Sequence, residues 1–174
     1  MAKIRKFCAY RRYKRPYTRI SKYREKSYIR TNPNIRITKF EMGSPTKKFD
    51  YTLNLLSKSF LQIRDNALES ARQTANKTLE GGCGLTGYFM KVRVYPAQVL
   101  RENPLATGAG ADRFSTGMQK SFGKPIGNAA RVKKGKILFE VRVNKNQLPL
   151  AKNALRRAIC KLPCPGMVEI IENK

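Results

Sequence analysis

Histidine is absent from this chain of 174 residues, and acids are scarce: 11 Asp and Glu against 37 Lys and Arg. Without an imidazole there is no Ser-His-Asp or Cys-His nucleophile system. The acids are scattered, with no DxD or ExxE cluster to hold Mg²⁺. The four cysteines, Cys8, Cys83, Cys160 and Cys164, form no CxxC pair, and Pro163 interrupts the last two. That spacing argues against zinc and for reduced thiols in a cytosolic protein. No apolar run approaches the roughly 18 residues of a membrane-spanning helix, and the N-terminal MAKIRKFCAYRRYKR lacks the apolar core of a secretory signal. Gly108-Ala109-Gly110 lacks the third glycine and βαβ context of a dinucleotide fingerprint, and Gly123-Lys124 is followed by Pro125 where a P-loop needs Ser or Thr. The expectation is a chain without catalytic residues, metal or cofactor.

What the chain has in excess is positive charge, a net +26. Such a surplus repels itself unless a polyanion neutralises it. Nucleic acid is the first candidate partner and an anionic membrane surface the second. A sequence-neutral DNA or chromatin protein would share the charge, and the glycine loop could also be read as a phosphate cradle. Residues 1–33 form a basic arm with interleaved tyrosines, including Arg5, Lys6, Arg11, Arg12, Tyr13, Lys14, Arg15, Tyr17 and Arg19. Cations there can neutralise phosphates and tyrosines can stack on exposed bases. Alone in water the arm is expected to be largely disordered.

Residues 34–174 read as one α+β domain: a mostly antiparallel sheet with two main helices on one face. Asn34–Phe40 alternates and predicts a strand with Arg36 on its basic face. A second strand includes Phe49, Tyr51, Leu53 and Leu55. From Ser57 to Glu80 the spacing of Phe60, Ile63, Ala67, Ala71 and Ala75 predicts the longest helix, ended by Gly81-Gly82. Tyr88–Tyr95 predicts a strand with Lys91 and Arg93 pointing outward. A glycine-rich loop, Val99 to Lys124, follows, inserted into the domain over 99–115. It reads as a finger reaching a negative partner or as a plain surface loop. Arg101 and Arg113 flank its tip, Lys120 and Lys124 follow it, and residues 115–122 predict a short helix. Strands are expected over 126–132, over 137–143 and at Val168–Ile170, with a helix from Gln147 to Lys161.

A family resemblance rests on Tyr95-Pro96, Val99-Leu100-Arg101-Glu102-Asn103, Ala106-Thr107-Gly108-Ala109-Gly110-Ala111-Asp112-Arg113, Thr116-Gly117-Met118, Phe122-Gly123-Lys124-Pro125 and Ala130-Arg131-Val132. Ala67-Leu68-Glu69-Ser70-Ala71-Arg72 and Ala154-Leu155-Arg156-Arg157-Ala158 extend it over nearly the whole chain. These residues resemble the large-subunit ribosomal protein of the L-ten-e type, the archaeal and eukaryotic branch of the universal L-sixteen family. The resemblance implies an α/β-hammerhead-like fold and a non-catalytic role in the cytoplasm, within the large ribosomal subunit. It implies binding to large-subunit rRNA near the tRNA cleft and peptidyl-transferase centre, with Arg131 added to the rRNA-binding set. Partners would be that rRNA, P-site and A-site tRNA ends and neighbouring large-subunit proteins, with no membrane and no stand-alone oligomer. The tRNA-proximal loop would be Arg101, Glu102, Asn103, Thr107, Gly108, Ala109, Gly110, Ala111, Asp112 and Arg113. The chain departs from the family at Pro104-Leu105, commonly Lys-Met, and at Ala97-Gln98, often His-His.

Overall fold

The computed structural model describes residues 5–12, 22–27, 29, 31–103, 108–114 and 123–173. Apolar alternation builds a five-stranded antiparallel sheet from β1 (Glu41–Gly43), β2 (Tyr51–Ser57), β4 (Tyr88–Val92), β7 (Ile137–Val143) and β8 (Gly166–Glu172). Its order is β1-β4-β7-β2-β8. Register sets Leu53 beside Val141 and Ile170, and Met90 beside Val141, on one face. The helices α1 (Asp65–Cys83) and α3 (Leu148–Ile159) cover that face and pack on each other. Leu68, Ala71, Ala75 and Leu79 of α1 meet Ala151, Ala154, Leu155 and Ala158 of α3, all with zero exposure, in one core with Leu53, Leu55, Phe139 and Val141. The alanine stripe keeps the helices close, and each fully buried Leu or Val contributes about 1.5–3 kcal/mol.

A second, three-stranded sheet corrects the expectation of a single one. β3 (Leu61–Arg64), β6 (Lys124–Val132) and β5 (Gln98–Glu102) pair antiparallel in the order β3-β6-β5. The chain leaves the first sheet after Ser57, whose hydroxyl donates to the Ser59 carbonyl at 2.9 Å. The helix expected from Ser57 therefore starts eight residues later. Phe60 and Ile63 mimic a helical stripe, but Phe60 is 58 % exposed and Ile63 sits in β3, paired with Ala130. At the other end, Gly81 and Gly82 lie inside α1, and Gly82 faces Leu150 of α3, where a Cβ would collide with its side chain. The helix ends instead at Gly84, whose N–H donates to the Glu80 carbonyl.

Residues 34–40 alternate as expected, with Ile37 buried and Arg36 and Thr38 exposed, but form no strand. Their polar groups go to α1. The Arg36 N–H donates to Asp65 at 3.2 Å and the Thr38 hydroxyl to Glu69 at 3.3 Å. The loop expected from Val99 also starts later. Val99 and Leu100 are buried in β5, opposite Asn128 and Gly127, so the last rung before the loop is Glu102 opposite Lys124. A four-residue helix, α2 (Ala111–Phe114), lies within the loop; the helix expected over 115–122 lies outside the described residues.

Candidate nucleic-acid interface

The arm and the loop meet on one face of the three-stranded sheet. Register places Gln62, Arg64, Arg131, Ala129, Gln98 and Leu100 on that face. Tyr10 packs there against Leu100 and Ala129, only 6 % exposed. Gln62, 2 % exposed, donates its side-chain amide to the Tyr10 carbonyl at 3.2 Å and the Arg12 carbonyl at 2.5 Å. The Gln62 N–H reaches the Arg11 carbonyl, and the Arg64 guanidinium donates to the Arg5 carbonyl at 2.8 Å. Residues 5–12 are thus docked by main-chain contacts, which leave the Lys6, Arg11 and Arg12 side chains exposed. Within an arm expected to be largely disordered, this stretch is docked on the sheet. Arg5 is exposed as well, but its guanidinium pairs with Glu102.

Glu102 is the hub. Its carboxylate lies 2.6 Å from Arg5 Nε and accepts from the Tyr10 hydroxyl at 3.3 Å. Its side chain is 15 % exposed. The family resemblance placed Glu102 in the tRNA-proximal loop; in the fold its carboxylate joins the arm to the base of that loop. Gly123 lies against the Glu102 main chain on the facing strand. It holds φ 82°, and a Cβ there would press at 3.0 Å on the Glu102 backbone. Farther out, the Ala111 N–H donates to Gly108 and the Arg113 N–H to Gly110, a tight turn that needs φ 123° and 74° at the two glycines. Arg113 and residues 108–110 are exposed, Ala111, Arg101 and Asn103 are half-buried, and Asp112 lies in α2.

Other expected cations are placed less simply. Arg36 and Lys124 are exposed and Arg131 is half-buried. Lys91 and Arg93 do point away from the core, but each faces an acid: Lys91 pairs with Glu41 at 2.5 Å and Arg93 with Glu140 at 3.5 Å. Glu140 also takes Arg142 at 2.7 Å, and the Arg142 guanidinium lies over the Phe89 ring. Lys91 in β4 and Arg93 just past its end are thus partly neutralised at home. Tyr13, Lys14, Arg15, Tyr17, Arg19, Thr107 and Lys120 lie outside the described residues.

Sequence reasoning did not single out Tyr10 and Gln62 as the arm's anchors. Gln62 carried a signal, a polar residue between Leu61 and Ile63, but only a strand assignment makes that position notable. A second internal clamp holds the segment before β1. Arg72 donates to both Glu69 oxygens at 2.8 and 2.6 Å, to the Thr38 hydroxyl and to Met42 Sδ. The Arg72 hydrogen bonds hold the Glu69 carboxyl below its usual range although burial pushes the other way. Burial pushes the Cys83 and Cys164 thiols up, as unreactive packing groups. Among the described residues, no group of His, Cys, Asp and Glu is placed to hold a metal ion, and no helix is long and apolar enough to cross a membrane.

Exposed cations around a docked arm and a braced loop define a protein built to meet a polyanion. The chain belongs to the family described as ribosomal protein L16p/L10e, whose model matches residues 14–169. It is similar to the large ribosomal subunit protein uL16 of Staphylothermus marinus, 50 % identical over 153 residues covering 88 % of this chain and 84 % of that one. The protein of the same name from Methanococcus maripaludis (strain S2) is 45 % identical over 152 residues, 87 % of this chain and 88 % of its own. That of Archaeoglobus fulgidus is 44 % identical over 161 residues, 92 % and 89 %. As a ribosomal protein the chain is a structural component and not an enzyme.

Proposed function

We propose that this chain is a structural constituent of the large ribosomal subunit in the cytoplasm. In this reading it binds large-subunit rRNA near the tRNA cleft and the peptidyl-transferase centre. The observation that carries the reading is the docking of a basic arm beside the base of an exposed loop, in a chain with 26 surplus positive charges. Lys6, Arg11, Arg12, Arg36, Lys124 and Arg131, with the arm beyond residue 12, contact rRNA phosphates. The loop from Arg101 to Arg113 approaches P-site tRNA. Of its outer members, residues 108–110 and Arg113 are exposed to do so, while Glu102 braces the base of the loop from behind. Positioning of the loop supports placement of tRNA ends and late subunit assembly, and the chemistry of peptide transfer is left to RNA.

The full chain is to be titrated with large-subunit rRNA fragments and with duplex DNA at two salt concentrations. The reading expects preference for the rRNA and an affinity that falls steeply with salt, as counterion release requires. Equal affinity for duplex DNA would overturn it. Removing residues 107–111 should leave rRNA binding within about threefold, because phosphate contacts elsewhere dominate affinity, while slowing translation. A shortened chain that no longer binds rRNA would make the loop an anchor.

A further inference from the structure

Strand β8 differs from the rest of the molecule. It pairs with β2 alone, so its outer edge is open among the described residues. The β2–β8 register runs unbroken from Tyr51–Glu172 to Ser57–Gly166. The Tyr51 hydroxyl donates to Glu172 at 3.1 Å, and the Asn173 N–H donates to the Asp50 carbonyl at 2.8 Å, so the strand is held to its end. On this straight edge Met167 is 50 %, Ile170 41 % and Ile171 44 % exposed. A long apolar edge strand is a template for another strand and a liability if it stays uncovered.

Charge says what covers it. β8 contains Glu169 and Glu172, both exposed, and no Lys or Arg, in a chain with 37 cations and 11 acids. RNA phosphates would be repelled there. A second copy of this chain would bring the same two carboxylates and no cation. Lys47, Lys48 and Arg142 share the groove on the sheet's open face with Ile171, so the negative character belongs to the strand itself. We infer that β8 is a docking edge for an extended, Lys/Arg-rich segment of a neighbouring protein, which adds to the sheet as a sixth strand. Main-chain hydrogen bonds would give the affinity and the two glutamates the selectivity. The inference rests on the chain's place in the large subunit and says which surface meets protein and not RNA.

The test uses large subunits purified from cells whose copy of this chain carries p-benzoylphenylalanine in place of Ile171. Immunoblotting first confirms that the chain is present, and the subunits are then irradiated. The expected product is a crosslink to a Lys/Arg-rich protein segment. Its yield should fall about threefold or more with Glu169→Gln and Glu172→Gln together, the scale of two lost exposed ion pairs. Both glutamates are exposed, so the isosteric change leaves the fold intact. A crosslink to RNA, to a second copy, to a segment without basic residues, no crosslink, or a yield indifferent to the glutamates overturns the inference while leaving the subunit assignment standing. Absence of the chain from the subunits overturns both.

Discussion

The Glu102 carboxylate sits 2.6 Å from Arg5 Nε and within hydrogen-bond reach of the Tyr10 hydroxyl, tying the start of the chain to the last rung before the loop. Arg5 is largely exposed, so the pair itself contributes on the order of 0.5–1 kcal/mol. Its value is in holding two segments together. Glu102→Ala should leave global stability within about 1 kcal/mol but speed tryptic cleavage at Arg11 and Arg12 under native conditions. Cleavage at the parent rate would mean that Tyr10 and Gln62 hold the arm without it.

Helix α1 packs against both sheets, and α3 packs against α1 and the five-stranded sheet. Leu155→Ala removes a side chain with zero exposure between α3 and the sheet, so about 2–5 kcal/mol of stability should be lost. Ile171→Ala, on the open edge, should change stability by less than about 0.5 kcal/mol in the isolated chain. Urea denaturation of the two variants measures the contrast.

Acid should act through Glu69. Its carboxyl titrates below the ordinary 4.5 because Arg72 grips it. As pH falls, the unfolded chain takes up this proton before the folded one does. The contribution of Glu69 is therefore complete above its unfolded pKa and is lost as pH drops through the folded value. Glu69→Gln should cost about 1–3 kcal/mol at pH 7, and its stability should decline less steeply than the parent's as pH falls below the ordinary carboxyl value of 4.5. Thermal melts from pH 7 downward read both effects.

The thiols should divide by burial. Cys8 and Cys160 are exposed, whereas burial raises the Cys83 and Cys164 thiols. A thiol reagent under native conditions should label Cys8 and Cys160 first and Cys164 only on unfolding. Mass mapping of the labelled peptides checks the order.

Regular periodicity was legible wherever one element faced one core. The alternation of Met90 and Val92 and of Phe139, Val141 and Val143 reads as strand, and the spacing of Ala151, Ala154, Leu155 and Ala158 reads as helix, because each buries one face; the strand read over Tyr88–Tyr95 ends at Val92, although Val94 is still buried. The split into two sheets was not legible. It depends on β3, four residues long and joined directly to α1, where Ile63 belongs to both a strand pattern and a helical one. The roles of Glu102 and Gln62 depend on contacts made across much of the chain with the arm, and no local pattern encodes those. Charge was legible in amount but not in pairing: Lys91 and Arg93 look free in sequence, yet the sheet sets Glu41 and Glu140 beside them.

The most direct test of the central claim is sedimentation of native lysate through sucrose gradients at low and raised salt, probed for this chain. A constituent of the large subunit should run with large subunits and whole ribosomes at both salts. Release into the free fractions at raised salt would contradict that claim and leave a peripheral basic protein.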